Sequence, residues 1–155
     1  MVKLETVLEC NAAMVKARPL VGVFFGGTSG IGECAVRALA TAHGTSGRGL
    51  RIYIVGRNQM AADRIISECQ ELCPSGRFRF MKTTDLSLLQ EVDRICDEIV
   101  RTEALMAKTS NLPAGIDFLV LTQGILSFAA KCEVPPAPTA TSSILKFRSL
   151  FANAT

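Results

Sequence analysis

The sequence predicts an α/β protein: a parallel sheet with helices on both faces, incomplete at about four strands. Short apolar runs alternate with longer amphipathic stretches, a pattern that makes βαβ units and therefore parallel pairing. The first apolar run breaks into glycines and then into a helical pattern, the form of a strand–turn–helix unit that meets phosphates. A hydrophobic fraction of 48% and a charged fraction of 20% over 155 residues suit one domain able to bury a single core.

Residues 1–19 read as a short amphipathic helix or an irregular lead-in, stopped by Pro19. Residues 20–25 form a buried strand. A helix follows over 31–43, with Ile31, Cys34, Ala35, Ala38 and Leu39 at core spacing. The glycine-rich connection 44–49 leads to a second strand, 50–55, closed by Gly56-Arg57-Asn58. The second helix spans 59–72 on a stripe of Ala62, Ile65, Ile66, Cys69 and Leu72, and Pro74-Ser75-Gly76 ends it. Residues 77–82 alternate Arg and Phe, a strand with one covered and one wetter face. Thr84-Asp85 then caps a third helix, from 86 to about 108, with Leu89, Val92, Ile95, Cys96 and Ile99 as its stripe. A fourth strand covers 116–121, apolar on both faces apart from Asp117. The local signals stop agreeing beyond Phe128, where Pro135, Pro136 and Pro138 cluster. The expected organisation is a lead-in over 1–19, a nucleotide-binding domain over 20–128 and an irregular proline-containing tail over 129–155.

Several function classes are set aside by composition. A net charge of +3 without a run of Lys or Arg gives no footprint for nucleic acid. No stretch approaches the roughly 18 apolar residues of a membrane span, and the segment 1–19 carries Glu5, Glu9, Lys16 and Arg18, unlike a signal peptide. The expected compartment is cytoplasmic, with no membrane partner. The six cysteines include no CxxC pair, and the sole histidine, His43, has no partner ligand at zinc-site spacing, so no metal site is expected. The thiols read as small buried hydrophobes, with Cys69 and Cys73 on one helix face.

The chemistry-bearing stretch is Gly26-Gly27-Thr28-Ser29-Gly30-Ile31-Gly32. Glycines let a backbone turn sharply and approach a pyrophosphate, and the following helix offers unpaired N–H groups and a positive dipole end. Arg57 carries the choice of dinucleotide. NAD sites place a carboxylate about 20 residues beyond the glycines, on the ribose hydroxyls. Here the second strand ends Val55-Gly56-Arg57, with no Asp or Glu until Asp63. A guanidinium there pairs with a 2′-phosphate that a carboxylate would repel, which favours NADP over NAD. The structural alternative is that Arg57 is a solvated loop charge.

The spacing Gly26-x-x-x-Gly30-x-Gly32 resembles the TGxxxGIG turn of the short-chain dehydrogenase/reductase family. Further marks fall in that family's order: Gly56-Arg57 after the second strand, Thr84-Asp85-Leu86-Ser87 after the third, and Leu121-Thr122-Gln123-Gly124 after the fourth, where the family usually reads NNAG. They span residues 20 to 124, about two-thirds of the 155-residue chain, and are similar to fungal members found in secondary-metabolite pathways. The resemblance implies a Rossmann-like domain with strand order 3-2-1-4. By the same resemblance Gly26, Thr28, Ser29, Gly30, Ile31 and Gly32 meet the cofactor phosphates, and Arg57 and Asn58 follow at the second strand. Asp85 and Leu86 fall at the adenine, Asp85 with N-capping as a competing job, and Gln123 and Gly124 lie along a ribose.

Two departures stand out: Phe25 replaces a common Thr, and Thr122-Gln123 replaces two Asn. The family's proton donor, a Tyr four residues before a Lys on one helix face, has no counterpart. The single tyrosine, Tyr53, lies mid-strand, and Arg57 four residues on cannot imitate a helical pair, because strand side chains alternate. No catalytic residue is therefore assigned. The resemblance implies an NADP-linked oxidoreductase represented by its cofactor half, a C-terminally truncated member. The alternative is a non-catalytic NADP-binding or partner-binding module. An edge at the fourth strand, with its apolar run 118–121, is where self-association or a partner chain is expected.

Overall fold

The computed structural model describes residues 3–110 and 115–124. The chain forms two compact units, one from Met1–Thr84 and Ile116–Thr122, the other from Asp85–Gly115 and Gln123–Thr155. The expected tail, 129–155, lies outside the described residues.

The first unit contains α1 (Leu4–Ala17), β1 (Leu20–Phe25), α2 (Gly30–His43), β2 (Leu50–Gly56), α3 (Gln59–Leu72), β3 (Arg77–Lys82) and β4 (Phe118–Leu121). Its four strands pair in the order β3-β2-β1-β4, all parallel. This is the Rossmann-like α/β arrangement and the strand order that the resemblance implied. The register aligns Phe25 with Val55 on one side and with Leu121 on the other. Strand order therefore reverses around β1, and in open α/β sheets ligands bind at the carboxyl ends of strands flanking such a reversal.

One sheet face, with Leu20, Phe24, Leu50, Ile52 and Ile54, packs in a single cluster with Val36 and Ala40 of α2, Ile65 and Cys69 of α3, and Cys73 just after that helix. Burying each large aliphatic side chain there contributes about 1.5–3 kcal/mol. Val21, Val23, Phe25, Tyr53, Val55 and Met81, on the alternate strand positions, are buried as well, which is why β1 and β2 read as continuous apolar runs. The strand β3 keeps Arg77, Arg79 and Lys82 exposed and Phe78 and Phe80 half-buried, as its alternation predicted.

The sequence expectations need correction on α2, α3 and α4 and at β4, which runs Phe118–Leu121 and not from 116. The buried stripe of α2 is Gly32, Val36, Ala40 and His43, while Ile31 is 77% exposed and Cys34 is exposed. A glycine and a histidine carry no apolar signal, so periodicity chose the neighbouring stripe. On α3, Ala62, Ile65 and Cys69 are buried, but Leu72 is exposed and Cys73 takes its place one residue on. In the second unit, α4 runs Leu89–Ser110, not from 86. Asp85 turns the chain first: its Oδ1 accepts from Ser87 N at 2.9 Å, an Asx-type turn that puts Asp85 outside the capping position. Along α4, Ile95, Cys96 and Ile99 are buried as expected, whereas Leu89 is exposed.

Candidate functional site

The site begins where β1 runs out. Phe25 is buried, and the next two peptide N–H groups, of Gly26 and Gly27, both donate to Val55 O of β2, at 2.9 and 3.2 Å. From the other side, Thr122 N donates to Phe25 O at 2.9 Å. The turn is thus anchored to both neighbouring strands before it enters α2.

The glycines of the turn serve different needs. Gly30 has φ +55°, a conformation costly for residues with a Cβ, although a Cβ there would meet nothing within 4 Å. Gly32 is held by close approach: a Cβ would lie 2.4 Å from Gly26 O, a backbone atom that cannot yield. Gly30 therefore opens the surface and Gly32 seats the helix against the turn.

Among the described residues no side chain is seen to cap α2. Ser29 occupies the N-cap position in extended conformation without a cap hydrogen bond, and Ser29, Gly30 and Ile31 are exposed. The start of this 14-residue helix thus lies at the surface of the described residues, and helix N-termini suit anions.

Thr28 connects the turn to the end of β2. A Cβ on Gly56 would lie 2.6 Å from Thr28 Cγ2 and 2.7 Å from its Oγ1, so the threonine side chain rests against the bare Gly56 backbone. The next residue, Arg57, is exposed, and among the described residues it has no ion-pair partner. Asn58 is engaged structurally: its side-chain oxygen accepts from Ala61 N at 3.1 Å, capping α3. Thus Gly26, Thr28, Ser29, Gly30, Ile31, Gly32, Arg57 and Asn58 all belong to the first unit, with Thr28 joining the two groups. Asp85, Leu86, Gln123 and Gly124 belong to the second unit, where Leu86 is half-buried and the other three are exposed.

An ionic cluster that the sequence reading missed braces α2 against α3 just behind the turn. Glu33 accepts from Arg37 Nε and Nη2 at 3.1 and 3.0 Å and from Arg64 Nη2 at 2.9 Å. Both arginines also reach Glu68 of α3. Burial pushes the Glu33 carboxyl up, but hydrogen bonds from Arg37 and Arg64 outweigh it and hold the group below the usual carboxylate range. Hydrogen bonding from Arg37 lowers Glu68 in the same direction. The i, i+4 spacing of Glu33 with Arg37 and of Arg64 with Glu68 was the available signal.

Tyr53 is buried within β2. The thiols divide: Cys69, Cys73 and Cys96 are buried, as expected, whereas Cys10 and Cys34 are exposed on helices, a correction to reading them all as core. His43, unpartnered by sequence spacing, packs against Cys73, with Nδ1 3.2 Å from Sγ. Among the described residues no group of three potential ligands could hold a metal ion, and no helix is long and apolar enough to cross a membrane.

No family model matches the sequence. Among curated proteins, a short-chain dehydrogenase/reductase of Stachybotrys chartarum is 38% identical over 125 residues, covering 81% of this chain and 35% of its own length. Over most of its length the chain is similar to members of the short-chain dehydrogenase/reductase family. An oxidoreductase of Emericella nidulans is 34% identical over 133 residues, 86% of this chain and 35% of that protein. The chain thus spans about a third of the length of the curated relatives it matches. Among solved structures, L-sorbose reductase from Gluconobacter frateurii, complexed with NADPH and L-sorbose, superposes with a TM-score of 0.57 at 17% identity. That match covers 89% of this chain and 48% of the reductase, and it supports the fold.

Proposed function

We propose that this chain is the dinucleotide-binding part of a short-chain oxidoreductase and that it selects NADP over NAD. The carrying observation is the end of β2: exposed Arg57 follows Gly56, whose missing side chain is replaced by contact with Thr28, so no carboxylate stands there. A guanidinium beside the phosphate-binding turn pairs with a 2′-phosphate through charge-assisted hydrogen bonds. The uncapped N-terminus of α2 takes the pyrophosphate, and Gly32 lets the helix approach closely enough for its N–H groups to do so. A nicotinamide cofactor supplies hydride transfer when bound. Asp85, Leu86, Gln123 and Gly124 enter this proposal through the family resemblance alone. On the family resemblance alone, we place the parent activity in a secondary-metabolite pathway of the cytoplasm.

Titration of the full chain with NADPH and NADH, followed by nicotinamide fluorescence, tests this reading. Tighter binding of NADPH is expected, and Arg57→Glu should weaken NADPH far more than NADH. Equal weakening of both would remove the NADP assignment.

A second reading, a non-catalytic NADP-binding module, is favoured by Tyr53. The only tyrosine of the sequence is buried in a strand, where it cannot present its hydroxyl to a bound carbonyl. Under this reading the β4 edge, where Leu121 is exposed, serves self-association or a partner chain. Sedimentation velocity of the chain at rising concentration tests that edge, and a strictly monomeric species throughout would count against self-association.

A further inference from the structure

Thr122 holds the glycine turn from the side opposite β2. Its backbone N–H donates to Phe25 O just beyond the β1–β4 pairing, and its hydroxyl adds a second hold, donating to Phe25 O at 3.1 Å with Gly26 O at 3.4 Å. The same hydroxyl oxygen stands 2.6 Å from where a Cβ on Gly32 would be, a point itself 2.4 Å from Gly26 O. The end of β1, the first peptide of the turn and the first turn of α2 therefore converge on one threonine oxygen. Phe25 brings no hydroxyl of its own to this junction.

We propose that Thr122 is a positioning residue for the dinucleotide turn: its hydroxyl fixes the Phe25 and Gly26 carbonyls, and through the Gly26–Gly32 contact it sets where α2 begins. Val55 O restrains the N–H side of the peptides on which Thr122 restrains the carbonyl side. With both sides held, the N–H groups that face a pyrophosphate are oriented before it arrives, and less ordering remains to oppose binding. The link to affinity rests on reading the turn as a nicotinamide-cofactor site. The hold on the turn does not.

Two variants of the full chain separate these claims. Thr122→Val keeps the shape and removes the donor, while Thr122→Ser keeps the donor. Without cofactor, amide hydrogen exchange over residues 26–32 should quicken by about threefold to tenfold in the valine variant, the loss of one ordinary hydrogen bond. The urea midpoint should fall by no more than that same factor implies, about 1.4 kcal/mol at most, and the serine variant should exchange like wild type. The NADPH dissociation constant should rise by a similar factor for valine and little for serine. Unchanged exchange in Thr122→Val, or equal effects of serine and valine, would overturn the proposal. So would faster exchange spread evenly over the chain, or faster exchange of the turn with unchanged NADPH affinity. If the wild-type chain binds neither NADPH nor NADH, the cofactor reading fails, and the exchange comparison still decides whether the hydroxyl holds the turn.

Discussion

Thr28 and Gly56 are in direct contact, the threonine side chain lying where a Cβ on the glycine would be, 2.6 Å from Cγ2. That contact joins the glycine turn to the end of β2 and leaves Arg57 as the first side chain beyond the sheet.

It makes Gly56→Asp a substitution with two separable effects. The added side chain displaces Thr28, an overpacking cost of about 1–3 kcal/mol, and it sets a carboxylate beside Arg57. We expect a lowered urea midpoint together with at least a tenfold loss of NADPH affinity, about 1.4 kcal/mol. Adding Thr28→Ala should restore much of the stability without restoring NADPH binding, since only the steric conflict is relieved. Recovery of both together would mean that packing, not charge, sets the affinity.

At the far end of α2, His43 is fully buried, with Nε2 accepting from Gly49 N at 3.1 Å. A backbone N–H only donates, so the neutral ring carries its proton on Nδ1, which faces Cys73 Sγ at 3.2 Å and Gly44 O at 3.3 Å. Gly47 lies against the same ring, leaving no space for a side chain of its own. His43→Ala should cost about 2–4 kcal/mol by leaving a cavity and an unpaired Gly49 N–H. Cys73→Ser, which keeps an acceptor for Nδ1–H, should cost less. Urea unfolding of the two variants checks the order, and a harmless His43→Ala would refute the clasp.

The Glu33 and Glu68 carboxyls are both held below the ordinary value of 4.5 by arginine hydrogen bonds, against the opposing effect of burial. The folded state thus binds fewer protons there than the unfolded chain. Stability from the cluster is complete above the ordinary carboxylate value and declines as pH falls through the depressed folded values. Glu33→Gln should cost about 1 kcal/mol or less at neutral pH and flatten the acid side of the stability profile. An acid limb of unchanged steepness, measured by urea midpoints from neutral pH downward, would remove Glu33 from this role.

The purified chain should bind NADPH without oxidising it in the presence of ketones or aldehydes, since Tyr53 is sequestered in β2. Absorbance at the nicotinamide band checks this across a carbonyl panel. Carbonyl-dependent NADPH oxidation above background would show that a proton donor other than a tyrosine serves the chain.

Much of the first unit was legible along the chain. The apolar run of β1 matched its strand, and α3 runs from Gln59 to Leu72 as its apolar stripe implied. Arg57 drew notice because one strand end carries a cation where NAD sites place a carboxylate. The α2 face and the α4 start escaped because a buried Gly32 and His43 and an Asx turn at Asp85 leave little trace in hydrophobic periodicity.

The sequence by itself determined the alternation of strands and helices, the position of the glycine turn and the charge beside it, because these depend on local backbone preference and on neighbouring residues. Only the tertiary structure decided that Thr28 closes over Gly56, that Thr122 reaches the Gly26 carbonyl across 96 residues, and that His43 meets Cys73 across 30. Contacts between distant segments depend on register and on the space left by small residues, and neither quantity is written into any single stretch of chain.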